Sequence, residues 1–333
     1  PMEKCAVALK ISAVVERWPV AGQFIISRGA KDHVDVLVVA VSDGVHLGQG
    51  EGTAIYYHGE SAEGCLAQVM NAVPDLEDMN VTEARALAQI LLGPGAARNA
   101  LDCALWDLEA NQKGLPLWQL VGLKKEPRAL TTAFTISLGE PEVMETAAEK
   151  AAAKGYTLLK LKLTGQGDRE RVAAVKRGAP EARLIVDANE SWGDLDILSE
   201  AEALESLGVE MIEQPVPVGG DALLDMIRAP VPLLADESCQ DSSDVARIGP
   251  FYDGVNIKLD KAGGLTEALK LADAADEAGL KIMVGCMLST SLGIAPAFLV
   301  AQRAQWVDLD GPALLAEDRP DGFQFEYGTI SLA

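Results

Sequence analysis

The chain has 333 residues and a formal net charge of −22, with 49% of its residues apolar. That length exceeds one ordinary domain and suits a large barrel with a smaller module, while the acidic balance excludes the basic face that nucleic acid or an anionic membrane requires. No apolar run approaches the ~18 residues needed to span a bilayer, and five scattered cysteines without a CxxC pair argue against a zinc or disulfide framework and for a reducing cytoplasm.

Residues 36–41 form a β-branched run ahead of the turn Ser42-Asp43-Gly44, and residues 45–50 read as the return strand of a hairpin. Helical patterns follow over 61–73, 82–92 and 96–112. These elements predict an α+β capping domain over residues 1–125. From about residue 131 the chain adopts a regular rhythm. Strand-like runs at 133–137, 158–163, 183–188, 211–214, 233–236, 254–259, 281–285 and 306–309 start 21 to 28 residues apart, with helix-like segments such as 141–154 and 265–278 between them. Eight strands alternating with helices predict an α/β barrel over residues 126–317. A doubly wound open sheet is the competing fold. The aromatic, strand-like tail, 318–333, is expected to return onto the first domain. Gly219-Gly220 and Gly263-Gly264 read either as tight strand-to-helix turns or as a phosphate cradle.

Active sites of such barrels lie at the carboxyl ends of the strands. In residues 158–163 the period of two puts Lys160 and Lys162 on one face and Leu159, Leu161 and Leu163 on the other. Like charges crowded on a core-type strand repel and lose hydration, which is expected to lower their pKa and make a neutral amine available. The next three strand ends carry Asp187, Glu213 and Asp236. One such acid reads as a helix cap or an ion pair, but three on consecutive strands repel unless a cation joins them, and an all-oxygen set suits one Mg2+. Lys258 ends the sixth strand, half a barrel from the second. Lys162 and Lys258 are thus expected to flank the metal, as a 1,1-proton transfer through an enediolate requires. Lys160 is expected to keep Lys162 deprotonated and to donate to the enolate oxygen. All three histidines, His33, His46 and His58, lie in the first sixty residues, so acid–base chemistry further along must use lysines and carboxylates.

At these residues the chain resembles the enolase superfamily, in its muconate-lactonizing-enzyme subgroup. The resemblance implies a (β/α)7β barrel with an N-terminal α+β cap, Mg2+ and abstraction of a proton alpha to a carboxylate. Narrower similarity to the dipeptide epimerases lies in Asp187-Ala188-Asn189-Glu190-Ser191-Trp192, in residues 256–265 and in Asp308-Leu309-Asp310-Gly311-Pro312. It implies an isomerase acting on the C-terminal residue of a small dipeptide, with L-Ala-L/D-Glu as the leading substrate. Asp308 and Asp310 would receive the substrate's ammonium group. In the L-Ala-D/L-Glu epimerases a basic cap residue meets the glutamate side chain. The segment Phe24-Ile25-Ile26-Ser27-Arg28-Gly29 makes Arg28 the candidate here, with Lys31 a substitute. Thr135 is placed where some relatives have a substrate-contacting hydroxyl. One departure is Ser289, near which many relatives carry an acid. The rival readings are muconate cycloisomerisation, o-succinylbenzoate synthesis or N-succinylamino-acid racemisation on the same machinery, and a non-catalytic metal-binding barrel. A homo-oligomer is compatible with all of them.

Overall fold

The run at residues 36–41 has no polar face because its strand is covered on both sides. The computed structural model describes residues 8–26 and 29–332. Strands β1 (Lys10–Ile26), β2 (Gly29–Ser42) and β3 (Leu47–Thr53) form an antiparallel sheet in that order. Along β2, Leu37, Val39 and Val41 face a helical layer, while Val34, Val36 and Val38 pack with Leu288 and Leu315 of the following domain. The helical layer is α1 (Ala62–Leu76), α2 (Val81–Leu91) and α3 (Ala96–Lys113). Ser61 caps α1, and Asn80 with Glu83 forms a reciprocal capping box on α2.

The return strand extends beyond the expected residue 50, to Thr53. Its alternation Gly48, Gly50, Gly52 faces α3, and a Cβ on any of them would overlap the Ala104, Ala100 or Ala96 carbonyl respectively. Glycines at period two on the strand and alanines at period four on the helix let the two backbones touch.

The barrel strands are Phe134–Ile136, Leu158–Lys162, Arg183–Asp187, Val209–Glu213, Leu233–Ala235, Gly254–Ile257, Lys281–Gly285 and Trp306–Asp308. All are parallel neighbours in chain order. The Ala133 N–H donates to the Val307 carbonyl at 2.7 Å, which joins the first and eighth strands and removes the open-sheet alternative. The fourth strand starts earlier than its pattern suggested and ends at Glu213, because Gln214 leaves it with φ +37°. Outward residues, among them Leu159, Leu161, Val186, Ile212 and Ile257, pack against the helices. Inward residues form two layers. The lower is apolar: Ala133, Leu158, Ile185, Met211, Leu234, Met283 and Trp306. Two residues further along each strand comes the upper layer of Thr135, Lys160, Asp187, Glu213, Asp236, Asn256, Gly285 and Asp308, which is polar apart from its one glycine.

In the tail, Gln324–Glu326 and Thr329–Ser331 form a hairpin whose second strand pairs with Leu130–Thr131. Arg319 of the tail reaches the first domain, donating to Glu16 at 2.6 Å and Glu51 at 3.0 Å. Buried acids stitch the two domains together. Glu51 accepts from the Thr290 N–H at 2.7 Å, and Asp260 accepts from the Thr53 N–H and from Asn99 Nδ2, both at 2.8 Å.

Gly50→Ala should therefore destabilise the fold by about 1–3 kcal/mol, as overpacking does, read as a lower denaturant midpoint. Burial pushes the Asp260 carboxyl up from 3.8 to about 7. The folded state then holds a proton that the unfolded chain has released, and stability falls as pH rises through that window. Asp260→Asn keeps an acceptor but does not titrate. Thermal melts between pH 4 and 8 should show wild type losing stability relative to this variant as pH rises.

Candidate active site

The second barrel strand points Lys160 and Lys162 inward with Leu158, and its register places Lys162 beside Asp187. Lys162 Nζ lies 2.6 Å from Asp187 Oδ2. Across the ring, Lys258 Nζ lies 2.6 Å from Asp236 Oδ2. Strands two and six are four positions apart in an eight-membered ring, so the two amines approach the acid group from opposite sides. The Lys258 amine has a pKa well above the ordinary range: burial alone would lower it, but the charge of Asp236 beside it prevails.

Lys160 is 1% exposed and sits among carboxylates, 2.7 Å from Glu213 Oε2, 2.8 Å from Asp308 Oδ2 and 3.6 Å from Asp187 Oδ2. The expected lowering of its pKa is reversed. Burial does lower it, but the charges of Asp308, Glu213 and Asp187 outweigh burial and hold it well above the ordinary range. Its neighbours across the barrel, which no local pattern displays, decide the sign. The acids around Lys160 thus favour its charged form.

Asp187, Glu213 and Asp236 are fully buried, and one oxygen from each lies within 4.8 Å of the others. Burial, and then the charge of Asp187, pushes Glu213 up to about 7. Three carboxylate oxygens converging at that spacing, without a nitrogen or sulfur donor, fit a hard divalent cation that keeps places free for other oxygen ligands.

Three further residues hold the trio and were not singled out from the sequence. Asn256 Nδ2 donates to Glu213 Oε1 at 2.7 Å. Gly285 makes room for that amide, because a Cβ there would lie 2.8 Å from Asn256 Oδ1. The Gln214 Oε1 accepts the Asp236 and Ser238 N–H groups at 2.9 and 3.0 Å. Lys261, 1% exposed, donates to the Asp236, Cys239 and Asn256 carbonyls and lies 2.6 Å from Asp236 Oδ1. The inward period of two marked Asn256, two residues before Lys258; Lys261 lies on a helical turn, where that period no longer applies.

Asp308 and Asp310 both line the cavity at the mouth of the barrel, together with Lys160, Lys162 and Lys258. Asp308 Oδ2 accepts from Lys160, whereas its Oδ1 is buried and takes no hydrogen bond from the described residues. The Asp310 Oδ2 accepts the Thr135 backbone N–H at 2.7 Å, and burial, with Asp308 next, raises its pKa to about 7. Lys31 reaches the same cavity from the cap, with its Nζ 4.8 Å from the centre of the Tyr56 ring. Arg28 lies outside the described residues. Ser289 is buried, and its hydroxyl donates to the Met287 carbonyl.

If the trio holds the metal, Mg2+ should raise the melting temperature of the wild-type chain by mass action. Glu213→Gln should abolish most of that rise, and calorimetric titration should show weakened Mg2+ binding.

Residues 142–332 match the enolase C-terminal domain-like family, and residues 8–122 match the mandelate racemase/muconate lactonizing enzyme N-terminal domain. The L-Ala-D/L-Glu epimerase of Escherichia coli (strain K12) is 42% identical over 95% of this chain and 98% of its own. An N-acetyl-D-glutamate racemase of Pseudoalteromonas sp. is 40% identical over 89% of this chain and 92% of its own. A crystal structure of an enolase family member from Agrobacterium tumefaciens, described as homologous to dipeptide epimerases and holding sodium and L-Ala-L-Glu, superposes with a TM-score of 0.92 at 45% identity, covering 98% of each chain. With a barrel, a cap and an acid trio in place, and both domains matched in order, the chain belongs to the mandelate racemase/muconate lactonizing enzyme family of enolase-like proteins.

Proposed function

We propose that the chain is a Mg2+-dependent dipeptide epimerase that inverts the alpha carbon of the C-terminal residue of L-Ala-L/D-Glu by two-lysine 1,1-proton transfer. The observation that carries this reading is the pair Lys162 and Lys258, two amines on opposite sides of one ring, each 2.6 Å from a member of the acid trio. When bound to Asp187, Glu213 and Asp236, Mg2+ supplies positive charge opposite the negative charge that gathers on the substrate carboxylate as the alpha proton leaves. One amine takes that proton from one face, the other delivers a proton to the opposite face, and the roles exchange in the reverse direction. Lys160, in its charged form, presents a donor to the same developing charge.

Asp308 and Asp310 receive the dipeptide's ammonium group. In support, both carboxylates line the cavity, and Asp308 Oδ1 takes no hydrogen bond from the described residues. Thr135 orients Asp310 through both its backbone N–H and its side chain. Arg28 is the cap residue proposed to meet the glutamate side chain, and Lys31, which lines the cavity, is its substitute. No helix among the described residues is long and apolar enough to cross a membrane, and unpaired thiols such as Cys65, Cys103, Cys239 and Cys286 suit a cytoplasmic enzyme.

A second reading, racemisation of an N-acylated glutamate, is favoured by similarity to the Pseudoalteromonas racemase. It uses the same lysines but brings no ammonium group to Asp308 and Asp310. Proton NMR in D2O separates the two. Wild type should exchange the glutamate alpha proton of both L-Ala-L-Glu and L-Ala-D-Glu and interconvert them. Lys162→Ala and Lys258→Ala should each slow epimerisation by roughly 10²- to 10⁴-fold, with each variant still exchanging the isomer whose proton faces the amine it retains. Turnover of N-acetylglutamate with both dipeptides unchanged would replace the first reading with the second.

A further inference from the structure

We propose that helix α3 of the cap positions Lys258 but not Lys162, so that the cap governs one half of the reaction; this rests on the two-lysine reading above. Lys258 stands at the N-cap of a single helical turn, Leu259–Ala262, which ends in Gly263 and Gly264. One face of α3 grips that turn and the start of the next helix, Leu265–Glu277. Arg98 donates from Nη2 to the Ala262 carbonyl at 2.6 Å and from Nε to the Gly263 carbonyl at 2.9 Å. Asn99 Nδ2 donates to Asp260 Oδ1 at 2.8 Å, and the same oxygen accepts the Thr53 N–H. One turn further along α3, Asp102 accepts the Thr266 N–H at 2.8 Å.

The glycine pair has its explanation in this contact. Gly263 and Gly264 have φ of +80° and +116°, and a Cβ on them would run into the Arg98 guanidinium and the Asp102 carboxylate. They are where the barrel backbone gives way to the cap helix, and the phosphate-cradle alternative has no support. Arg98, Asn99 and Asp102 are themselves buried, so these bonds are made away from water, where they rigidify most.

The other lysine is held differently. Beyond Lys162, the Leu163 N–H donates to the Asp187 carbonyl, and the Thr164 and Gly165 N–H groups donate to Asp168 at 3.0 and 2.8 Å. Trp192 Nε1 fixes Asp168 in turn at 3.1 Å. All of these are barrel residues. Lys162 is thus held by barrel residues alone, whereas the turn that carries Lys258 is held from the barrel by Lys261 and from the cap by α3. Because proton transfer depends steeply on placement, with a 1 Å error worth on the order of 10²-fold, loosening α3 from its turn acts on the Lys258 step alone.

Net epimerisation passes through both lysines in either direction, so the test reads alpha-proton exchange of each isomer separately in D2O. Lys258→Ala first identifies the isomer whose exchange needs Lys258. Asn99→Ala, and independently Arg98→Lys, should slow exchange of that isomer by about tenfold or more while changing the other by less than about twofold. Thr53→Val is the control. It loses the hydroxyl bond to the Leu288 carbonyl of the seventh loop but keeps the backbone bond to Asp260, and should affect both isomers alike. Equal slowing of the two isomers in the α3 variants, no slowing in either variant, or the same asymmetry in Thr53→Val would overturn the inference. A wild-type chain that exchanges neither dipeptide would instead refute the epimerase reading itself.

Discussion

Three carboxylates buried in the mouth of a barrel repel one another, and the upper half of this molecule is organised around relieving that repulsion. Asp187, Glu213 and Asp236 are withdrawn from water, which disfavours their charged forms. Lys160 and Lys261, fully buried as well, approach the trio from the second strand and from the turn after the sixth. Neither ammonium would be stable there without the acids. The acids and lysines are thus mutually dependent. The net effect is a site that concentrates charge in a buried setting, where an added cation or anion is felt strongly.

That electrostatic cluster can sit in a hydrophobic protein because the strand period separates it from the core. The layer of inward residues beneath it is apolar, and the alternate residues face outward into the helical shell. Inward-facing polar side chains lie above that apolar layer, toward the carboxyl ends of the strands. Gln214 and Asn256 satisfy the carboxylates and backbone groups that the lysines do not reach. The backbone departs from ordinary conformations near this layer, with positive φ at Asn189, Glu190 and Gln214. Such strain is retained where the surrounding hydrogen bonds over-determine it.

The cap contributes more than a cover. Its third strand and third helix touch backbone to backbone, and the residues at the end of that strand, Glu51 and Thr53, reach the sixth and seventh barrel loops. Helix α3 thereby becomes part of the catalytic domain's scaffold, although the first domain supplies none of the acids or lysines of the upper layer. Two domains joined through buried acids such as Asp260 and Glu51 share their stability, and the titration of those acids belongs to the interface.

Much of this was legible from local pattern. Period-two alternation put Lys160 and Lys162 on one face, the repeat of strand and helix implied a barrel, and the acids at three successive strand ends implied a common ligand, because these depend on neighbours a few residues away. The protonation state of Lys160 was not, since it is set by Glu213 on the fourth strand and Asp308 on the eighth. Nor were the roles of Lys261 and of the glycine pair beside it, or the extension of β3 to Thr53, which depend on contacts between segments from 25 to more than 200 residues apart. Sequence periodicity determines which face of an element is buried. Only tertiary folding decides which charges meet across the ring and which backbone segments come close enough to require glycine.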